Sequence, residues 1–292
     1  MATLPNNIAI ACGSGGYRTV FIHGVLTAFE NAQIRATAYG GTSASVLATA
    51  SAAIGKADLV GVDYWIYALE IKQQSTIGMS EVTQTTVADK APMITAELFN
   101  DDAPRFVVPA CAVVTEDGAQ QTQSEQARRL GRKLLLSAAR RKPSDWVTEH
   151  LELHLFDTKG GDHPLTLANF SDVGYASSRM MHAWDIPATI NGNPYVDGSY
   201  LCSIPVIELA QSGDYDAVIA ISADAPSDTL YADIFGVRAV PDTLNDTPIY
   251  KIMPEVDPAS LGADFTDATP DGLKAAYQQG IQQGQAFIGK WS

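Results

Sequence analysis

Hydrophobic positions change period repeatedly along this chain. Residues 7–12 (NIAIAC) are apolar almost throughout and end in glycines, which predicts a buried strand entering a turn. Val20, Gly24, Val25, Ala28 and Phe29 then repeat at helical spacing over Val20–Asn31. Residues 36–39 predict a second short strand with Gly40 and Gly41 at its end, and residues 43–55 a helix of small residues able to pack closely on a sheet. This strand-turn-helix alternation favours a parallel sheet covered by helices. Further strands are expected at 106–114, where Pro109 is a dissonant residue, at 150–156 (HLELHLF), where Leu151, Leu153 and Leu155 share a face, and at 217–222 (AVIAIS). A closing helix fits 273–287 despite Gly280 and Gly284. No repeat or low-complexity linker divides the chain, so one domain over 1–292 is expected, with an irregular stretch between about 58 and 104.

Composition narrows the class. The chain has 292 residues, 46% of them apolar, and 19 Lys plus Arg against 33 Asp plus Glu, a formal charge of −14. That balance argues against non-specific nucleic-acid binding. Cys12, Cys111 and Cys202 are widely spaced and form no CxxC site, so a reducing, cytoplasmic setting is the default. Met1 to Asn7 lacks the basic start and apolar core of a secretory signal, and no apolar run reaches the length of a transmembrane helix. Seven cations nevertheless cluster in 125–142: Arg128, Arg129, Arg132, Lys133, Arg140, Arg141 and Lys142. Leu130, Leu134 and Ala138 make that segment an amphipathic helix with a basic face. Such a face suits peripheral contact with an anionic membrane, through Arg128, Arg129, Arg132 and Lys133, and equally suits plain solvated surface.

Three stretches carry candidate chemistry. Gly13-Ser14-Gly15-Gly16-Tyr17-Arg18 leads from a strand into a helix, where backbone N–H groups bind anions. It lacks the third glycine of the dinucleotide fingerprint, and no Gly-Lys-Ser/Thr of a P-loop exists. Gly41-Thr42-Ser43-Ala44-Ser45 places Ser43 between a strand and a helix, as a nucleophile elbow does, although Gly-Thr-Ser at a strand end is also an ordinary turn and cap. A serine nucleophile needs a base. None of His23, His150, His154, His163 and His182 follows Asp197, no Asp precedes Ser43, and Glu30 lies inside a predicted helix. Asp145 with His150 is a possible pair, but no triad loop surrounds it. A Ser43–Asp197 dyad fits better, with Asp197-Gly198 on a tight turn after an apolar run.

These stretches resemble the patatin-like phospholipase family, whose signature is a glycine-rich loop with arginine, a Gly-x-Ser-x-Gly elbow and an Asp-Gly motif. Ser14-Gly15-Gly16-Tyr17-Arg18 is similar to the first and His23-Gly24-Val25-Leu26 continues it. Ala176-Ser177-Ser178, Tyr195-Val196-Asp197-Gly198-Ser199 and Ile204-Pro205-Val206 resemble the run through the family's aspartate, and Asp216 to Ser222 the strand after it. Ile252-Met253-Pro254 and Asp264-Phe265 also look like family features. The region 58–149, partly basic and helical, is less diagnostic. Thr19, Ser45 and Ser199 stand where the family carries smaller residues, which predicts added bulk near the site.

The resemblance implies a three-layer α/β/α sandwich with a mainly parallel sheet and a lipid acyl hydrolase that needs no metal and no cofactor. Ser43 would attack an ester carbonyl, Asp197 would take its proton, and N–H groups of Gly15, Gly16 and Tyr17 would hold the oxyanion. Arg18 would brace the loop, with Gly41 and Ser45 shaping the elbow. The substrate would be a fatty-acyl ester of a phospholipid or related lipid. Acyl transfer to another acceptor, or lipid binding with little turnover, are the alternatives. His150-x-x-x-His154 would chelate zinc only on a helix. As a strand it spans about 13 Å, too far for one ion. Cys12 and Cys202 neighbour the motifs but suit packing. Trp184, Met180 and Met181 suit either an acyl pocket or core.

Overall fold

The computed structural model describes residues 4–74 and 77–291, so the expectation for Met1 to Asn7 lies partly outside the described residues. Among these, nine strands form one sheet: β1 Ile8–Cys12, β2 Ala38–Gly41, β3 Arg105–Val113, β4 Leu151–Asp157, β5 Ala188–Ile190, β6 Asn193–Asp197, β7 Ala217–Ile221, β8 Thr243–Leu244 and β9 Thr247–Ile252. The five central strands, in the order β3-β2-β1-β7-β9, run parallel. Antiparallel β4, β5, β6 and β8 complete the margins.

Both faces of the sheet are buried at its centre, which is why β1, β3 and β7 read as nearly unbroken apolar runs. Ile8, Ile10 and Cys12 of β1, with Ile219 and Ile221 of β7, enter the larger core, under helices Val20–Asn31, Val46–Ala53 and Pro270–Ile288. Ala9, Ala11, Val218 and Ala220 point the other way, into a smaller core under helix Val206–Ser212. The fold is therefore α/β, a mostly parallel sheet between helical layers.

Gly280 and Gly24, weak helix residues by propensity, are where two helices touch backbone to backbone. A Cβ on Gly280 would lie 2.1 Å from the Phe21 carbonyl oxygen, and one on Gly24 2.1 Å from that of Tyr277. Pro109 has a comparable explanation. On one edge of β3, β2 pairs as far as Val107 and β6 pairs from Ala110. Pro109 falls in the gap, where no strand requires its missing N–H, and its carbonyl accepts the Ser177 hydroxyl at 2.7 Å.

Three expectations need correction. The stretch 58–104 is not irregular: it carries helices Ala57–Val60, Asp63–Gln74 and Met79–Leu98. Pro92 and a diluting run of threonines obscured the longest of them. The second strand extends through Gly40 and Gly41 rather than ending before them, because both pair with β1. The strand expected from His150 starts at Leu151, since His150 closes the helix Asp145–His150.

Replacing Gly280 with Leu is expected to cost about 2–4 kcal/mol of stability, measured by urea unfolding, because the clash is with backbone and cannot be relieved by a rotamer change. A loss below about 0.5 kcal/mol would mean the two helices do not approach as described.

Candidate active site

β1 and β2 end in register, Cys12 opposite Gly41. The loops that follow them leave the same carboxyl edge, at the point where the neighbours of β1 diverge to β2 and β7, the usual position of a site in such sheets.

The first loop is pinned at its base by Gly13 N–H to Ile221 O at 2.9 Å and Ser14 N–H to Ser203 O at 2.8 Å. It then forms the 3-10 turn Gly16–Thr19, which runs into helix Val20–Asn31. Gly16 has φ 58°, and a Cβ there would lie 1.9 Å from the Phe265 carbonyl oxygen, so only glycine fits. Phe265 O also accepts the Tyr17 N–H at 3.2 Å. Tyr17 is thus not a free oxyanion donor as expected; its ring lines the cleft instead. The N–H groups of Gly15 and Gly16 have no hydrogen-bond partner among the described residues. Arg18 turns outward: its Nε donates to Asp264 Oδ1 at 3.0 Å and its Nη2 to the same oxygen, while Phe265 N–H donates there at 2.7 Å. The guanidinium holds the Asp264 carboxyl below the usual range. Arg18 and Asp264-Phe265 together latch the loop.

The second loop carries Ser43 at φ 59°, a left-handed conformation that costs a non-glycine residue on the order of 1–3 kcal/mol. Its N–H donates to Ser177 Oγ at 3.0 Å, and Ser177 in turn holds Pro109 O. Thr42 N–H donates to Ser45 Oγ at 3.1 Å, closing a capping box that starts the next helix. Because β2 and β6 approach end to end along β3, the Ser43 hydroxyl meets the Asp197 carboxylate and donates to Oδ2 at 2.9 Å. Asp197 is fully buried, and Oδ1 accepts from Ser199 N–H at 2.8 Å and from the Ser199 hydroxyl. Burial pushes its pKa up to about 6 against the lowering effect of the Ser199 and Ser43 donors.

Thr19, Ser45 and Ser199 do not add bulk to the cleft. All three are buried with their hydroxyls turned into the scaffold: Thr19 donates to Gly16 O at 2.6 Å, Ser45 to Thr42 O at 2.9 Å, and Ser199 to Asp197.

Ser43, Gly16 and Tyr17 open onto a narrow, mainly apolar cleft. Its walls come from the region sequence reading found least diagnostic: Tyr64, Trp65 and Ala68 from helix Asp63–Gln74, and Met79, Val82, Thr86 and Val87 from helix Met79–Leu98. The spacing of Met79, Val82 and Val87 was the available signal, diluted by Thr83 and Thr86. Trp65 is held by His23, whose Nδ1 accepts the indole N–H at 2.9 Å while Nε2–H donates to Ala57 O. Burial lowers the His23 pKa to about 4, so the ring is neutral. Trp184 is a cleft wall, whereas Met180 and Met181 belong to the core.

The other candidates lie elsewhere. All three cysteines are buried and free, and burial pushes the Cys12 thiol up to about 12 and Cys202 well above its ordinary value. His150 bonds Thr115, while His154 stacks on His163 with centroids 3.6 Å apart. Among the described residues no cluster of His, Cys, Asp or Glu is arranged to hold a metal, and no helix is long and apolar enough to cross a membrane. The basic segment forms helix Ala127–Ala139, burying Ala127, Gly131 and Leu134 and exposing Arg128, Arg129, Arg132 and Lys133.

No protein-family model matches the chain, and no curated protein matches it in sequence. Among solved structures it is similar to VipD from Legionella pneumophila, with a TM-score of 0.55 and 12% identity over 99% of this chain and 68% of that one. At that identity the likeness is one of fold.

The raised Asp197 pKa has a stability consequence. Between about pH 4 and 6 the native state keeps a proton that the unfolded chain has released, so stability falls as pH rises through that window. Asp197→Asn escapes the cost and is expected to gain about 2 kcal/mol at pH 8 and nothing below pH 4, read from urea unfolding at each pH. A pH-independent difference would show that the carboxylate is not desolvated as described.

Proposed function

We propose that the chain is a single patatin-like acyl hydrolase domain over 1–292 that cleaves fatty-acyl esters of phospholipids or related lipids through a Ser43–Asp197 dyad. The observation that carries this reading is the 2.9 Å hydrogen bond from Ser43 Oγ to a buried carboxylate, made from a strained turn at the mouth of an apolar cleft. The lipid class rests on that cleft together with the family resemblance of the motifs.

In this mechanism Asp197 takes the Ser43 proton as Oγ attacks the ester carbonyl. Oδ1 stays held by Ser199, which leaves Oδ2 aimed at the serine. The N–H groups of Gly15 and Gly16 receive the oxyanion, and a donor of this kind contributes about 3 kcal/mol to lowering the barrier. Asp197 then returns the proton to the departing alcohol. Water, deprotonated by the same carboxylate, releases the fatty acid from the acyl-serine. Arg18 acts on the loop and not on substrate, because its guanidinium is committed to Asp264.

Hydrolysis of p-nitrophenyl esters of graded chain length tests this. Ser43→Ala and Asp197→Asn are each expected to lower kcat at least about 10³-fold, with fluorophosphonate labelling lost in Ser43→Ala. Labelling that persists in Ser43→Ala would sink the assignment of the nucleophile, and full activity in Asp197→Asn that of the base.

The base must be ionised, so kcat/KM is expected to fall as pH drops through about 6. Ser199→Ala removes a donor that lowers this pKa and should move the acid limb upward. A limb that stays in place would show that Ser199 does not tune the carboxylate.

A further inference from the structure

The cations of this chain are used in two different ways. Outside 128–142, six of the remaining twelve basic residues are in ion pairs: Arg18, Lys56, Lys72, Arg105, Arg238 and Lys251. Within 128–142 all seven are exposed, and among the described residues none is paired with a carboxylate. A chain of net charge −14 has carboxylates to spare, so the absence of pairing here leaves a concentrated positive surface on an otherwise acidic protein.

That surface also exposes aliphatic side chains. Leu136, in the last turn of helix Ala127–Ala139, is 59% exposed between Lys133 and Arg140. At the end of the helix, Arg141 lies over the Tyr231 ring at 5.2 Å and beside Gly236, and the next residue, Val237, is 58% exposed. Cations with protruding aliphatic groups suit a surface that is anionic outside and apolar just beneath.

The helix is fixed beside the cleft. A Cβ on Gly131 would lie 2.4 Å from His182 N, so the helix rests directly on that backbone. The His182 ring stacks on Phe265 at 5.6 Å, and Phe265 meets Trp184, a wall of the cleft, at 5.9 Å. The charges of Arg128 and Arg132, after burial, help to lower the His182 pKa, which places them near its ring.

We infer that helix Ala127–Ala139 and the cations following it dock this protein on an anionic lipid bilayer, with Leu136 and Val237 entering the head-group layer. The docking surface stands on charge, exposure and packing alone. Only the statement that the bilayer is also the source of substrate rests on the hydrolase reading.

The test uses the full chain carrying Ser43→Ala, so that lipid is not consumed, in co-sedimentation with vesicles of phosphatidylcholine alone or with roughly a third phosphatidylglycerol. Binding is expected to be at least about tenfold stronger to the anionic vesicles and to be lost at high salt. The triple change Arg128→Glu, Arg132→Glu, Lys133→Glu should weaken it by about tenfold or more, and Leu136→Asp by a few-fold. In the Ser43 background both variants should hydrolyse a short soluble ester as the wild type does, which shows that they fold. No binding, equal binding to both vesicles, or an unaffected triple variant overturns the inference. Equal competition by a short DNA duplex overturns it in favour of a general polyanion surface. A wild type that binds vesicles but hydrolyses no ester would sink the hydrolase reading and leave the docking surface standing.

Discussion

Everything at the candidate site depends on two strand ends meeting along one edge of β3. β2 pairs with the first part of that edge and β6, running the opposite way, with the later part. Their carboxyl ends therefore point at each other across the gap marked by Pro109. Ser43, just beyond β2, and Asp197, the last residue of β6, are 154 positions apart in sequence and share a hydrogen bond because of this arrangement. The same gap receives Ser177, which links the Ser43 backbone to the Pro109 carbonyl. A strand break that looks like a defect is thus the feature that admits both partners.

The meeting is stabilised by surroundings that themselves carry a cost. Asp197 has lost its water and is compensated by Ser199 and Ser43, not by a cation. A counter-charge would have held the carboxyl low, whereas desolvation raises it, which in the proposed mechanism brings it toward the pH at which a base works. Ser43 is held in a left-handed turn against its conformational preference. The glycine loop is held from outside by Arg18, Asp264 and Phe265, residues at opposite ends of the chain. Serines and threonines throughout the site turn inward to brace backbone, which leaves the cleft surface mainly apolar.

Strands β1, β2, β3, β4 and β7, the first and last long helices, the glycine loop, the elbow and the Asp-Gly turn were legible in the sequence, whereas the central strand β9, whose apolar positions are interrupted by Pro248 and Lys251, was not. Each is a local pattern: an apolar run buried on both faces, a period of 3.6, or a glycine where the chain must turn. The helices lining the cleft were not legible. Their inner faces mix threonine with valine and one contains Pro92, so periodicity is weak where these helices line an open cleft instead of closing on a core. The amphipathic pattern of 125–142 was legible as well, since a basic outer face and a leucine-rich inner one repeat at helical spacing.

The sequence by itself determined which residues could be nucleophile, base and anion donors, because those roles need particular side chains and turns. It also determined the two-sided burial of the sheet. Only the tertiary structure decided which candidates meet. It paired Ser43 with Asp197, took the Tyr17 N–H away from the cleft by bonding it to Phe265, and turned Thr19, Ser45 and Ser199 into braces rather than obstructions. It also set the basic helix beside the cleft, through a glycine contact with His182. The physical reason is common to all of these: hydrogen bonding and burial depend on distances between segments remote in sequence, and a local pattern does not encode those distances.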